Sequence, residues 1–267
     1  MQTAQLPTRP AIRLVRMNSS RRQYIVNADD FGSSPAGNAA IAQAFDEGLI
    51  SSTSIMANMS GFEQACEITC ARNLHGAVGV HLNLTAGAPL TADIRSTQHF
   101  VDDKGTFSFA LPRTTLSLTR QELTAVRREW DAQIRRCLDN GISPSHLDSH
   151  HHVHSVWPLL SVTMDLARTF RIPFVRISRN IGVPPGLAKS LYKAIMNWRL
   201  RQAGLAGSKY FGAAEDFVAL HQKLTGSIEM MVHLYSAQDV SPLRNVIDNL
   251  GIAGRMLSHS EAAKERM

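Results

Sequence analysis

The sequence predicts a parallel α/β fold, either doubly wound or a barrel, in a single domain. Short apolar stretches typical of strands alternate with helical patterns six or seven times along the chain. No internal repeat and no linker interrupts this order. Polar side chains suited to chemistry lie at or near the ends of the predicted strands, and parallel strands all end at one edge of a sheet. We therefore expect one active site at the carboxyl-terminal rim of the strands.

Composition and charge narrow the class of protein. A hydrophobic content of 44% is ordinary for a globular domain, and no apolar run is long enough to span a bilayer. The net charge is +6, but residues 1–22 hold five arginines and no acid. We interpret this segment as a disordered basic tail without the apolar region of a secretory signal. The domain over 23–267 is then nearly neutral, which argues against a nucleic-acid partner.

Cysteine usage predicts the compartment. The chain has three cysteines, an odd number, and none of them forms a CxxC pair. This pattern fits reduced thiols in the cytoplasm better than a disulfide framework or a cysteine metal site.

The first predicted strand ends in two adjacent carboxylates. Residues 23–32 read as an apolar strand that finishes with Asp29 and Asp30. Ser34 as N-cap and Pro35 at the first helical position then predict a helix to about residue 47. An Asx-capped turn accounts for one of the aspartates but not readily for both, so we expect them to be functional.

The second and third strands precede a long insertion. Strand patterns over 52–57 and 77–84 enclose a helical pattern over 62–72. His81 lies in the third strand, and on its own it reads as a core histidine. Residues 85–118 show little periodicity, and a long loop at the active edge is typical of a lid or a substrate wall.

A histidine-rich stretch follows the next helix, which is predicted over 119–138. Five of the eleven histidines fall within residues 146–154. Burial of imidazoles and a carboxylate is costly without partners, and a divalent metal ion is a suitable partner. The alternative is a solvated histidine-rich loop. A strand has a period of two. If the strand continued through this stretch, one side of it would carry the side chains of His146, Asp148, His150, His152 and His154.

The last third of the chain continues the alternation. Arg176 lies in the strand predicted over 174–177, and His233 ends the strand predicted over 228–233. A basic helix is predicted over 185–204; we favour a solvated face, and the alternative is a surface for an anionic or lipid-linked substrate. The other predicted elements are a helix over 157–169, a strand over 208–211, a helix over 214–223 and a helical tail from 241.

Four segments resemble the YdjC-like carbohydrate deacetylases, a family that includes chitooligosaccharide and hopanoid-associated deacetylases. They are Asn27–Gly32, Gly79–Leu82, His146–His154 and Glu229–His233, and the likeness runs in order from about residue 23 to about residue 250. The resemblance implies a distorted, TIM-like (β/α) barrel. It also implies a hydrolase that removes the acetyl group from an N-acetylated sugar unit of an oligosaccharide or glycolipid.

The resemblance also implies roles for individual residues. One divalent ion, magnesium or zinc, is expected on Asp30, His81 and His150. Asp29 is the expected base toward a metal-activated water, and His233 is the candidate acid. The family commonly has proline after this histidine, whereas this chain has a leucine. Four residues are expected to orient the ligands or contact the substrate: Asp148, His152, His154 and Arg176.

Two other functions use similar residues. An iron(II) oxygenase also binds its metal by two histidines and one carboxylate, and His146-Leu147-Asp148 resembles its HxD element. Its fold is all-β, however, which the strand–helix alternation contradicts. The other alternative is a non-catalytic relative that binds a metal or a glycan. The expected partner is an N-acetylated carbohydrate, with membrane-surface contact if that substrate is a glycolipid; a homodimer is compatible with the resemblance.

Overall fold

A six-stranded, fully parallel sheet forms the centre of the molecule. The computed structural model describes residues 22–183 and 186–265, and all statements below concern this part of the chain. The spatial order of the strands is β4-β3-β2-β1-β6-β5. Their bounds are β1 Gln23–Phe31, β2 Ser52–Ile55, β3 Val78–Leu82, β4 Leu147–Ser149, β5 Tyr210–Ala213 and β6 Ser227–His233.

Helices connect the strands and pack against the sheet. Helix α1 begins as predicted, with Pro35 in its first turn and the Ser34 hydroxyl accepting a hydrogen bond from the Gly37 amide at 3.1 Å. The bounds of the helices are α1 Pro35–Asp46, α2 Phe62–Ala71, α3 Ala92–Arg95, α4 Arg120–Asp139, α5 Trp157–Thr169, α6 Leu187–Gln202, α7 Ala214–Phe217, α8 Val240–Leu250 and α9 His259–Lys264. None of them is long and apolar enough to cross a bilayer.

An irregular segment lies between the two edge strands. Val175 forms single parallel bridges with Leu147 of β4 and with Ala206. Further along, the amide of Asn180 donates to the carbonyl of Phe211 in β5 at 3.0 Å. The strand predicted over 174–177 is therefore reduced to one bridging residue, and Pro173 before it offers no amide to lengthen the ladder. The predicted α/β barrel is confirmed in this distorted form.

Most predicted elements lie within two residues of their expected bounds. The helix predicted over 214–223 is instead split into α7 and a short 3₁₀ turn at His221–Lys223. The insertion over 85–118 holds only α3 and one antiparallel bridge, between Val101 and Phe107. Residues 1–21 of the predicted tail lie outside the described residues. The last residue of that segment, Arg22, donates through Nε to the carbonyl of Leu224 at 3.0 Å.

Candidate active site

Asp29 and Asp30 reach the same rim because strand β1 contains a β-bulge. Between Ala28 and Phe31, β1 advances three residues while its neighbour β2 advances two. The backbone of Asp30 is left-handed, with φ of 67°. In a regular strand, neighbouring side chains would point to opposite faces; the extra residue redirects one of them. Both carboxylates are consequently buried at the site, 2% and 3% exposed.

Asp30, His81 and His150, which the resemblance implies as metal ligands, lie close together at the rim. Oδ1 of Asp30 lies 2.7 Å from Nδ1 of His150 and 3.1 Å from Nε2 of His81. The candidate coordinating atoms of the three residues all lie within 4.8 Å of one another. One carboxylate oxygen and two imidazole nitrogens leave coordination positions free for water or substrate, so this donor set suits a catalytic divalent ion.

The ring of His81 is held in the orientation that coordination requires. Its Nδ1 lies 2.8 Å from Oδ1 of Asp148, and the hydroxyl of Ser54 donates to the other oxygen of Asp148 at 2.9 Å. A proton on Nδ1, shared with the carboxylate, leaves the lone pair of Nε2 directed at the site. Burial opposes protonation, but the carboxylates of Asp148, Asp30 and Asp29 outweigh it and raise the pKa of His81 to about 10. A divalent ion therefore competes with a proton for Nε2.

Arg176 is fully buried among three carboxylates. Its Nη1 and Nη2 donate to Asp29 at 2.7 and 2.8 Å, and Nη1 also lies 2.7 Å from Oδ2 of Asp148. Nε donates to Glu229 at 2.6 Å. Burial raises the pKa of Asp29, but Arg176, His81 and His233 outweigh it and lower that pKa to about 2. The guanidinium therefore favours the ionised form of Asp29.

The charges of this cluster favour a bound cation. Four carboxylates in this cluster are buried, namely Asp29, Asp30, Asp148 and Glu229, and the guanidinium of Arg176 contacts all of them except Asp30. Unbalanced buried charge is costly, so neutral histidines would leave a deficit that a divalent ion reduces. A second group of candidate ligands, Asp29, His81 and Asp148, does not suit a metal because Nη1 of Arg176 already contacts both carboxylates.

The histidine-rich stretch departs from the predicted alternation. Strand β4 ends at Ser149, and a 3₁₀ segment begins at His150. His151 and His152 have left-handed backbones with φ of 52° and 55°. The prediction that five side chains share one side is therefore wrong beyond Ser149, because a strand's period of two holds only while the backbone stays extended. Consecutive left-handed residues without glycine are strained, and such strain is typical of functional segments.

His146 lies away from the site. Its ring is buried and stacked on that of His259, with the two centroids 3.7 Å apart. It therefore does not form a metal-binding pair with Asp148. The parallel α/β sheet likewise contradicts the all-β fold of the iron(II) oxygenases.

His152 and His154 are both held neutral by burial. His152 lines the site and packs edge-on against Phe211, with ring centroids 5.7 Å apart. Burial and the charge of Arg176 lower the pKa of His152 to about 3. His154 lies behind the site, with Nδ1 2.5 Å from the hydroxyl of Ser149 and Nε2 3.1 Å from the carbonyl of Arg176. It therefore fixes the backbone of Arg176.

An open cavity of about 330 Å³ lies over these groups. This volume falls within the range of roughly 300–1,000 Å³ found for small-molecule sites. His233 pairs in register with Asp29 across β1 and β6. Its ring is stacked against that of Tyr235, with centroids 5.8 Å apart. The cavity is lined by Asp29, His81, Arg113, His150, His151, His152, His233 and Tyr235.

Several site residues were not predicted from the sequence. The hydroxyl of Tyr235 donates to Oδ2 of Asp30 at 3.3 Å. It lies two residues after His233, so continued strand alternation would have indicated it. Arg113 comes from the insertion, which supports the expected role of that segment as a substrate wall. Ser54 and Glu229 gave only the weaker signal of polar residues within strand patterns.

Comparison with known proteins identifies the family. Residues 23–258 match the family described as YdjC-like protein. The chain belongs to the YdjC-like family. A carbohydrate deacetylase of Halalkalibacterium halodurans is 34% identical over 215 residues, which cover 79% of this chain and 84% of that relative. A carbohydrate deacetylase of Geobacillus stearothermophilus is 39% identical over 165 residues, or 61% of this chain and 64% of the relative.

A solved structure agrees with the YdjC-like fold. A crystal structure from Enterococcus faecalis V583, which carries the provisional name of a cellobiose-phosphate cleavage protein, superposes with a TM-score of 0.70. The two chains are 25% identical, and the superposition covers 91% of this chain and 99% of the other. The two chains thus share this fold over 91% of the present chain.

Proposed function

We propose that this YdjC-like protein is a carbohydrate N-deacetylase. The proposal rests on two groups of side chains that lie together at the carboxyl-terminal rim of the sheet. The donor atoms of Asp30, His81 and His150 lie close enough together to bind a cation, and beside them Arg176 holds the carboxylate of Asp29. Relatives that bear the name carbohydrate deacetylase, at 34% and 39% identity, support the substrate class. The expected substrate is an N-acetylated sugar unit, such as N-acetylglucosamine, in an oligosaccharide or glycolipid.

The proposed cofactor is one divalent ion, magnesium or zinc. Two imidazoles in the donor set favour zinc on chemical grounds, since hard magnesium prefers oxygen ligands. When bound, the ion supplies an acidified water and a positive charge beside the acetyl oxygen.

Asp29 is the proposed base that would accept a proton from the attacking water. Oδ1 of Asp29 already accepts hydrogen bonds from Arg176 and from the amide of Asn27, at 2.8 and 2.9 Å. Among the described residues, Oδ2 accepts a hydrogen bond only from Nη1 of Arg176, at 2.7 Å. Because a carboxylate oxygen has two acceptor sites, Oδ2 keeps one free for the water. Arg176 thus orients the base and keeps it ionised.

His233 is the proposed acid toward the departing amine. The residue is exposed at the end of β6, and its ring lines the cavity beside Asp29. Cleavage of an amide needs a proton on the leaving nitrogen, and a histidine on the open side of the site can deliver it. Stacking against Tyr235 limits the directions in which this ring can turn.

A screen for acetate release tests the proposal. Purified protein is stripped of metal and supplied in turn with zinc, magnesium or manganese, then offered oligosaccharides of N-acetylglucosamine. We expect metal-dependent acetate release that Asp29→Asn reduces by at least about a thousandfold while metal binding persists. Asp165→Asn changes an exposed carboxylate and is the matched control. Absence of acetate release from the unaltered protein on every glycan tested, with metal bound, would favour the non-catalytic alternative.

A further inference from the structure

A second cavity, of about 670 Å³, lies beside helix α6 and shares no lining residue with the catalytic cavity. Its volume falls within the range of roughly 300–1,000 Å³ found for small-molecule sites. The segment over 179–183 forms one wall. The other wall is one face of α6, on which polar residues recur at intervals of four: Lys189, Lys193, Asn197 and Arg201.

Hydrogen bonds fix the two walls of this cavity relative to each other. The side-chain amide of Asn197, 3% exposed, accepts from the backbone amide of Ser178 at 2.7 Å and donates to its carbonyl at 3.0 Å. On the facing wall, Arg179 pairs with Asp216. Gly182, with φ of 105°, lies so close to this ion pair that an added methyl group would meet Nη2 of Arg179 at 2.9 Å. The cavity is therefore a preformed feature of the fold.

The lining of this cavity is positively charged. Four of its side chains are basic and none is acidic: Arg179, Lys189, Lys193 and Arg201. Among the described residues, neither lysine forms an ion pair with a carboxylate. Burial and the charges of Lys189 and Arg179 lower the pKa of Lys193. Like charges that are held close together repel one another, so the cavity attracts an anion that would relieve this repulsion.

We propose that this cavity binds a phosphate-bearing small molecule, with the phosphate between Arg179, Lys189 and Lys193. A phosphate accepts several charge-assisted hydrogen bonds at once, and both arginine and lysine are common donors to it. Its double charge suits three cationic side chains better than the single charge of a carboxylate does. The cavity is larger than a phosphate ion, and Ile181 and Ala194 offer apolar surface to the rest of the ligand. This binding does not depend on the proposed deacetylation.

Isothermal titration calorimetry on the full chain tests the phosphate site. The chain is first dialysed against a chelator, so that no metal ion at the catalytic rim competes for phosphate. The probes are inorganic phosphate, glucose 6-phosphate and glycerol 3-phosphate, and glucose is the uncharged control. We expect the three phosphates to bind, glucose not to bind, and added salt to weaken binding. Tighter binding of glucose 6-phosphate would assign the site to a sugar phosphate, and tighter binding of glycerol 3-phosphate would assign it to a phospholipid headgroup.

A pair of lysine variants locates the binding. Lys189→Gln with Lys193→Gln should weaken the binding of glucose 6-phosphate about tenfold or more, because it removes two charge-assisted contacts. Glutamine has nearly the same helix propensity as lysine, so the helix should persist. Lys104→Gln with Lys223→Gln changes two exposed lysines outside the cavity and is the matched control. The control should bind like the unaltered chain, and circular dichroism and thermal midpoints confirm that every variant is folded.

Three results would overturn the proposal. The first is that none of the three phosphates binds. The second is equal binding of glucose and glucose 6-phosphate, which would mean that the phosphate is not recognised. In the third, the variant of Lys189 and Lys193 binds glucose 6-phosphate as tightly as the unaltered chain does. If Arg113→Gln then abolishes binding, the ligand lies in the catalytic cavity instead.

Discussion

The guanidinium of Arg176 holds the carboxylate of Asp29 by two hydrogen bonds, from Nη1 to Oδ2 at 2.7 Å and from Nη2 to Oδ1 at 2.8 Å. The same guanidinium contacts Asp148 and Glu229. One buried cation thereby links the proposed base to the carboxylate that orients His81. Removal of this cation should disturb stability and catalysis together, and the two effects can be measured separately.

Arg176→Lys should lower the stability of the fold, and it should lower the activity at acid pH. Lysine keeps a charge but not the paired geometry, and disruption of buried ion pairs costs about 3–5 kcal/mol. The pKa of Asp29, about 2 in the intact cluster, should rise because burial then prevails. The acid limb of acetate release should therefore move to higher pH. Chemical denaturation and a pH–rate profile measure the two effects. Arg168→Lys, at an exposed position, is the control; an unmoved acid limb would assign Arg176 a structural role alone.

Asp148→Asn should weaken metal binding through His81. The carboxylate is the partner of Nδ1 of His81 at 2.8 Å, and loss of such a partner typically costs a factor of about 10–100 in metal affinity. Ser54→Ala removes a hydrogen bond to Asp148 and a 3.0 Å contact with Nδ1 of His81 but leaves the carboxylate in place, so its effect should be smaller and in the same direction. Zinc titration by calorimetry gives both affinities, with Asp165→Asn as the exposed control. Equal affinities for all variants would show that Asp148 does not support metal binding through His81.

Metal binding at neutral pH should release a proton. Without an ion, the pKa of His81 is about 10, so its ring is protonated at neutral pH and must lose that proton to coordinate. The apparent affinity should therefore fall as pH is lowered. Calorimetry in buffers of different ionisation enthalpy counts the released protons. In His81→Gln, this proton release should disappear. Binding without proton release in the unaltered chain contradicts the prediction.

Removal of metal should also change the pH dependence of folding. The folded-state pKa of His81 lies above its unfolded value of 6.5, so its contribution to stability is complete below pH 6.5. That contribution is lost as pH rises toward about 10. The metal-free chain should therefore melt at progressively lower temperature across this interval, and His81→Gln should flatten the trend. A melting temperature of the metal-free chain that does not change with pH would be inconsistent with this account.

Tyr235→Phe should weaken metal binding modestly. Partial burial and the charges of Asp30 and Asp29 raise the pKa of Tyr235 to about 12, so its hydroxyl remains a donor at neutral pH. Its hydrogen bond to the Asp30 carboxylate is long, 3.3 Å, so it should contribute less than the about 1.5–3 kcal/mol typical of hydrogen bonds to charged groups. A decrease of about two- to tenfold in metal affinity is expected. Tyr210→Phe, outside the cavity, is the control, and a loss far beyond tenfold would indicate a direct catalytic role for the phenol.

Gly79→Ala should destabilise the chain far more than Gly76→Ala. A methyl group at Gly79 would overlap the buried imidazole of His146, which is itself stacked on His259. Near Gly76 the closest atom to an added methyl lies at 3.6 Å, an ordinary contact. Overpacking of a core costs about 1–3 kcal/mol. Urea denaturation of the two variants gives the difference, and equal midpoints would show that His146 can move.

The sequence predicted the parts of the site that depend on strand ends. Asp29, Asp30 and His81 lie where short apolar strands finish, so a parallel sheet brings them to one rim. The role of His150 was predicted from the resemblance of residues 146–154 to a family motif. The position of Arg176 on its own strand gave little indication that it would contact three carboxylates. Those contacts join residues up to 147 positions apart, and no local pattern encodes them.

The sequence did not predict backbone conformations that break a regular period. Alternation along the histidine-rich stretch placed His146 beside His150, yet one stacks in the interior and the other contacts Asp30. The left-handed backbone at His151 and His152 is rare for residues other than glycine, so residue propensities do not predict it. Tyr235 was missed for a related reason, since it follows the last residue of its strand and acts through a tertiary contact.

The bulge in β1 has a consequence for protein engineering. Asp29 and Asp30 act from adjacent positions only because one extra residue turns the backbone between them. A designer who copied this pair into a regular barrel strand would direct one carboxylate toward the rim and the other into the opposite layer. Transplantation of the chemistry therefore requires the irregular backbone as much as the two side chains. Deletion of a single residue at the bulge would displace both the proposed base and the candidate cation site.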